Sequence, residues 1–165
     1  MAAPEDLYDP AAFVAGLANQ STLPRALIGL DPGTRTIGVA ISDVDWTMAS
    51  PVKTIRRTKF TQDVGVLKEI LTRESIAGLV IGMPYNMDGS SGPRAQSVRA
   101  FRRLLAEHVD LPMLFWDERL SSSQAADTLK AAGRSARERQ ETIDAAAAAH
   151  ILSDALPTLR ELVAN

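Results

Sequence analysis

Residues 26–43 read ALIGLDPGTRTIGVAISD, two apolar runs on either side of Pro32–Gly33. Short apolar runs bounded by turn residues read as buried strands. ALIGLD (26–31) is therefore a first strand and TIGVAISD (36–43) a second, with Pro32 and Gly33 making the turn. PVKTIRR (51–57) follows after a short connection and reads as a third. Connections this short make the three an antiparallel meander. The first run stops at an acid, Asp31.

Downstream the period changes. Val64, Leu67, Ile70 and Leu71 recur at helical spacing and give one apolar face. AGLVIGM (77–83) is a fourth, buried strand, and MPYNMDGSSGP (83–93) has the composition of a loop. Val98, Phe101, Leu104 and Leu105 mark a second amphipathic helix. PMLFWDE (112–118) is a fifth strand, again ending in acids. Ser121 and Gln124 have capping-box spacing for a helix closing at Gly133. RSARERQE (134–141) reads as a charged loop, and TIDAAAAAHILSDAL (142–156) as a final helix stopped by Pro157. Helical crossovers return the chain in the same direction. The expected fold is thus α/β: a mixed five-stranded sheet, strands one to three antiparallel, strands one, four and five parallel, with helices on its faces. Residues 25–165 form that domain, and residues 1–24 an extension in which Asp9 and Pro10 start a short helix that packs on it.

The 165 residues suit one domain, and 45% apolar content supports a core without staples. There are no cysteines, which excludes disulfides, thiolate zinc sites and cysteine nucleophiles. The net charge of −2 excludes nucleic-acid binding by bulk basicity, so phosphate contacts have to be local. No run approaches the ~20 apolar residues of a membrane span. MAAPEDLYDP carries acids where a secretion signal has bases. The expected protein is soluble and cytoplasmic, a monomer or weak dimer.

In open α/β sheets ligands bind outside the carboxyl ends of the strands. Asp31 and Glu118 end strands one and five on that edge, while strand four ends at Gly82, which leaves room between them. Asp144 lies in the first turn of the alanine-rich helix, and five successive alanines let that helix lie close to the sheet. Clustered carboxylates raise one another's pKa unless a cation holds them ionised. Magnesium or manganese prefers such oxygen ligands, and two ions ~3.5–4 Å apart suit phosphodiester hydrolysis. Each acid also has an ordinary reading. Asp31 is a turn residue before Pro-Gly, Glu118 a polar strand end, and Asp144 a complement to a helix macrodipole. Their joint position favours a site. Asp117 alternates to the opposite face from Glu118 and reads as structural.

Four segments, LIGLDPGTRTIGVAISD (27–43), GLVIGMPYNMDGSSGPRAQSVRAF (78–101), DERLSS (117–122) and IDAAAAAHIL (143–152), resemble the YqgF (RuvX) family of Holliday-junction-resolvase-like proteins, whose members are also named as pre-16S rRNA nucleases. The resemblance covers most of residues 26–156. It implies an RNase H-like fold and assigns Asp31, Glu118 and Asp144 to an acidic metal-binding triad. The family often has lysines before the third acid; here the stretch reads RERQET, with Arg137 and Arg139. The implied activity is hydrolysis of structured RNA at the 5′ end of pre-16S rRNA, with pre-ribosomal particles as partners. Branched DNA is the alternative substrate, and non-catalytic nucleic-acid binding the alternative class.

Further candidates for substrate contact are Gly33 and Thr34, whose backbone amides suit a phosphate nest. Asn86 sits in the loop after strand four, and Arg134, Arg137 and Arg139 lie near Asp144. Gly33 is equally a hairpin residue, and Asn86 equally a support for its own loop. An actin-like phosphotransferase, suggested by DPGT alone, lacks a second domain and a second phosphate loop.

Overall fold

A computed structural model describes residues 7–18, 25–120 and 136–164, the side chains of Leu120 and residues 136–141 excepted. Five strands form one sheet in the order β3-β2-β1-β4-β5: β1 (Ala26–Pro32), β2 (Thr36–Ser42), β3 (Ala49–Arg56), β4 (Ile76–Met83) and β5 (Met113–Asp117). β1–β2 and β2–β3 pair antiparallel, and β1–β4 and β4–β5 pair parallel. The arrangement is the one the sequence predicts.

Alternation along the strands sends side chains to two covers. Ile28, Leu30, Ile37, Val39, Leu79, Ile81 and Phe115 join the larger core beneath α2 (Phe60–Arg73) and α3 (Pro93–Ala106). Leu27, Val80 and Leu114 face the other way. There they meet α1 (Pro10–Ala18), through Phe13 and Leu17, and the last helix, α4 (Ala136–Ala164), through Ile151, Leu152 and Leu156. The amino-terminal helix thus packs its apolar side into the second core. Trp46 is 8% exposed in that same core, its indole N–H donating to Arg25 O at 2.8 Å.

Three expectations need correction. The charged stretch ahead of Asp144 is not a loop throughout: α4 begins at Ala136. Residues 136–141 (ARERQE) are good helix formers with no Gly or Pro, so the helix nucleated downstream propagates back through them. Nor does Pro157 end α4, which runs on to Ala164. A proline inside a helix costs about 3 kcal/mol. Burying Leu156 (1% exposed) and Leu159 (0%) on either side offsets that at roughly 1.5–3 kcal/mol each. Finally, β5 stops at Asp117, and Glu118 opens a single 3₁₀ turn, Glu118–Leu120. The helix expected between Ser121 and Gly133 lies outside the described residues. Among those described, no helix is long and apolar enough to cross a membrane.

Candidate active site

Asp31 pairs with Gly38 across β1 and β2, and so points to the face that α4 covers. On that face β2 offers Thr36, Gly38 and Ala40, all small. The helix uses the space: a Cβ on Gly38 would lie 2.0 Å from the carbonyl oxygen of Asp144. One strand further along, a Cβ on Gly29 would lie 3.0 Å from Ala148 O. The alanine-rich helix therefore rests with its backbone on the sheet. That contact sets Asp144, two turns into α4 rather than in its first turn, beside the strand that pairs with Asp31.

Glu118 reaches the same region from the other side. A Cβ on Gly82 would lie 2.7 Å from Glu118 Oε1 and 2.6 Å from Ile151 Cδ1, so the end of β4 admits Glu118 only because it is a glycine. There Glu118 meets Asp31, carboxyl against carboxyl. Burial, hydrogen bonding to Asp31 and repulsion from its charge push the Glu118 carboxyl up to about 9, with Arg94 opposing them. Glu118 Oε1 is buried and finds no hydrogen-bond partner among the described residues. Asp144 is held differently: Thr36 Oγ1 donates to its Oδ2 at 2.8 Å. Asp31 and Glu118 are thus in contact, and Asp144 stands across Gly38 with one oxygen on Thr36. Among the described residues no group of three or more His, Cys, Asp or Glu is placed to hold a metal ion together.

The raised Glu118 carboxyl has a consequence for stability. Its folded value, about 9, lies above the ordinary 4.5, so between those values the native state binds more protons than the unfolded one. Stability then falls as pH rises through that window. In chelator, Tm is expected to decline from about pH 5 to about pH 9, and Glu118→Gln to flatten the decline, as thermal denaturation across that range will show.

The other candidates lie around this pair. Gly33 N–H donates to Thr36 O at 2.8 Å and Gly33 O accepts from Arg57 at 2.7 Å, so this turn is tied by its own hairpin. Thr34 is exposed beside it. Asn86 Nδ2 donates to Ser90 Oγ at 2.9 Å, and its carbonyl accepts from Gly89 N at 2.8 Å, which closes the loop on itself. Arg137 and Arg139 lie on α4 ahead of Asp144, and Arg134 lies outside the described residues. Asp117 grips Arg119 (Nε–Oδ1 3.0 Å, Nη2–Oδ2 2.5 Å).

Sequence reasoning missed Thr36, Arg94, Arg119 and Tyr85. Thr36 had a signal in the run of small residues at alternate positions of β2, where a strand face with little side-chain volume invites a close helix. Arg119 had one in its place directly after two acids.

A mixed sheet of this order, with acids at the carboxyl ends of β1 and β5, defines the RNase H-like α/β class. Two Holliday junction resolvases share the fold. One is T. thermophilus RuvC in complex with Holliday junction substrate, at TM-score 0.52 and 13% identity over 81% of this chain and 94% of that one. The other is the yeast mitochondrial resolvase Ydc2, at TM-score 0.51 and 10% identity over 93% and 86%. Residues 25–158 match RuvX, a family described as Holliday junction resolvase. The chain belongs to the RuvX family, whose members are hydrolases of phosphodiester bonds. A relative from Roseobacter denitrificans named "Putative pre-16S rRNA nuclease" is 48% identical over 96% of each chain. One of the same name from Paracoccus denitrificans is 53% identical over 85% of this chain and 90% of its own.

Proposed function

We propose that this chain is a divalent-cation-dependent endonuclease acting at the 5′ end of pre-16S rRNA, with Asp31, Glu118 and Asp144 as its catalytic acids. The observation that carries the reading is the Asp31–Glu118 contact at the carboxyl edge of the sheet. Two half-buried carboxyls facing each other, with the buried Glu118 Oε1 finding no hydrogen-bond partner among the described residues, are costly alone and suited to a cation. Hard oxygen donors fit magnesium or manganese, with Asp31 and Glu118 as ligands and Asp144 completing the set when it leaves Thr36. Such ions, two in this reading, would stabilise charge on the attacking and leaving oxygens of a phosphodiester.

The chain's own residues orient the site. Gly82 fixes where Glu118 enters, Gly38 sets the approach of α4, and Thr36 holds the Asp144 carboxylate. Arg137 and Arg139, on α4 ahead of Asp144, together with Arg134, are proposed as contacts that position substrate phosphates. The relatives' name favours RNA. The family's description favours a second reading, in which the same chemistry cuts branched DNA; paired cuts there need two sites in a dimer. Precursor rRNA and a synthetic four-way junction, each with magnesium, manganese or chelator, distinguish the two. Cation-dependent cleavage confined to the RNA is the expected result, and paired cuts confined to the junction would reverse the substrate assignment. Cleavage undiminished in chelator would refute the cation.

A further inference from the structure

Beside Glu118 opens a cleft of about 390 Å³ whose walls include Tyr85, Asn86, Arg94 and Arg119. Small-ligand sites span roughly 300–1,000 Å³, so this one is near the lower end. One nucleotide enters a space of that size; a double helix does not.

The walls are built for a flat, charged guest. The Arg119 guanidinium lies over the Tyr85 ring, 5.5 Å from its centroid. Asp117 holds it there through both carboxylate oxygens, at 3.0 Å from Nε to each. Guanidinium planes and aromatic rings are the surfaces on which unstacked bases lie. Met87, 87% exposed on the same loop, adds an apolar rim. The loop is braced internally by Asn86, Ser90 and Gly89, so the wall is largely formed before any ligand arrives. Arg94, exposed at the start of α3, lines the cleft together with Glu118 and stands close enough to it to favour its ionised form.

We infer that the cleft seats a single unpaired nucleotide adjoining the scissile phosphate, with its base against the Tyr85–Arg119 wall and its phosphate toward Arg94. The inference rests on the nuclease reading of Asp31 and Glu118. It makes the cut depend on local unpairing.

Binding in chelator tests this apart from cleavage. A labelled 12-nucleotide RNA strand, the same strand in a blunt duplex, and strands lacking one base at successive positions are titrated with the full chain by fluorescence anisotropy. The strand is expected to bind about tenfold tighter than the duplex, and removal of the base at one position only to lose about tenfold, as one stacked base contributes. Arg119→Ala is expected to show that same loss on the intact strand and no further loss on the abasic one. Arg94→Ala, at an exposed site, is expected to weaken strand binding about tenfold and Arg94→Lys to recover most of it. Equal binding of strand and duplex, or a flat abasic series while the parent still cleaves, overturns the cleft assignment alone. Absence of cleavage by the parent in magnesium or manganese overturns the nuclease reading, and with it the placement beside a scissile bond.

Discussion

Asp31→Asn is expected to lower cleavage by about 10³-fold or more while the folded protein becomes more stable. Asparagine keeps the shape of the side chain and its hydrogen-bonding reach, and removes the charge. If Asp31 holds a cation as proposed, the site then loses one of its donors. As a neighbour of Glu118 the same change removes a repulsion that raises the Glu118 carboxyl toward 9. The Glu118 value should drop, and the metal-free protein should gain Tm above about pH 5, at roughly 2–4 °C per kcal/mol for a chain of this size. The opposite signs make the measurement decisive. A variant that loses activity through misfolding loses Tm as well; one that loses it through the site gains Tm. Single-turnover cleavage and thermal denaturation in chelator, run on the same preparation, read both. Full cleavage by the variant would remove Asp31 from the chemistry.

How much of this was legible in the sequence depends on the range of the interactions involved. β1 and its terminal acid could be read because a buried parallel strand is a continuous apolar run, and Asp31 ends it. The strand directions followed from connection lengths. Glu118 was found at the right place for an incomplete reason. It does follow the last strand, yet its side chain is delivered by a 3₁₀ turn, and what admits it is the missing side chain of Gly82 on the neighbouring strand. That complementarity joins residues far apart in the chain, and no local pattern encodes it.

The ends of α4 show the same limit from two directions. Upstream, charge and polarity suggested a loop, but the residue types favour helix and the downstream turns nucleate it. Downstream, Pro157 looked like a stop, but the residue four positions earlier, Ser153, is exposed, so water can take the carbonyl that the proline leaves without an N–H. Burial of Leu159 then keeps the chain helical. In both cases a local propensity lost to tertiary packing, which single-sequence patterns do not contain. The five alanines did carry usable information, since a small-residue helix implies a close approach. What they did not reveal was the point of closest contact.

That point is Gly38, and Gly38→Ala is expected to be the most damaging glycine-to-alanine change among the described residues. The added Cβ would sit 2.0 Å from the Asp144 carbonyl oxygen and 2.6 Å from its carbonyl carbon. Both are backbone atoms of a helix packed along its length, so no side-chain rotation relieves the clash. Either α4 lifts from β2 or the strand buckles. Overpacking of this kind costs about 3 kcal/mol, or roughly 6–12 °C in Tm for a chain of this size. The second effect falls on the site. α4 carries Asp144 at the clash itself, so its carboxylate moves relative to Asp31, and a misplacement of about 1 Å in such a constellation costs about 10²-fold in rate. Gly65→Ala provides the control. Gly65 lies in α2, where an added methyl would meet nothing within 4 Å, so there alanine should stabilise by about 0.5–1 kcal/mol and leave cleavage unchanged. If Gly38→Ala melts and cleaves like the parent, α4 does not rest on β2 as described, and the position of Asp144 has to be found another way.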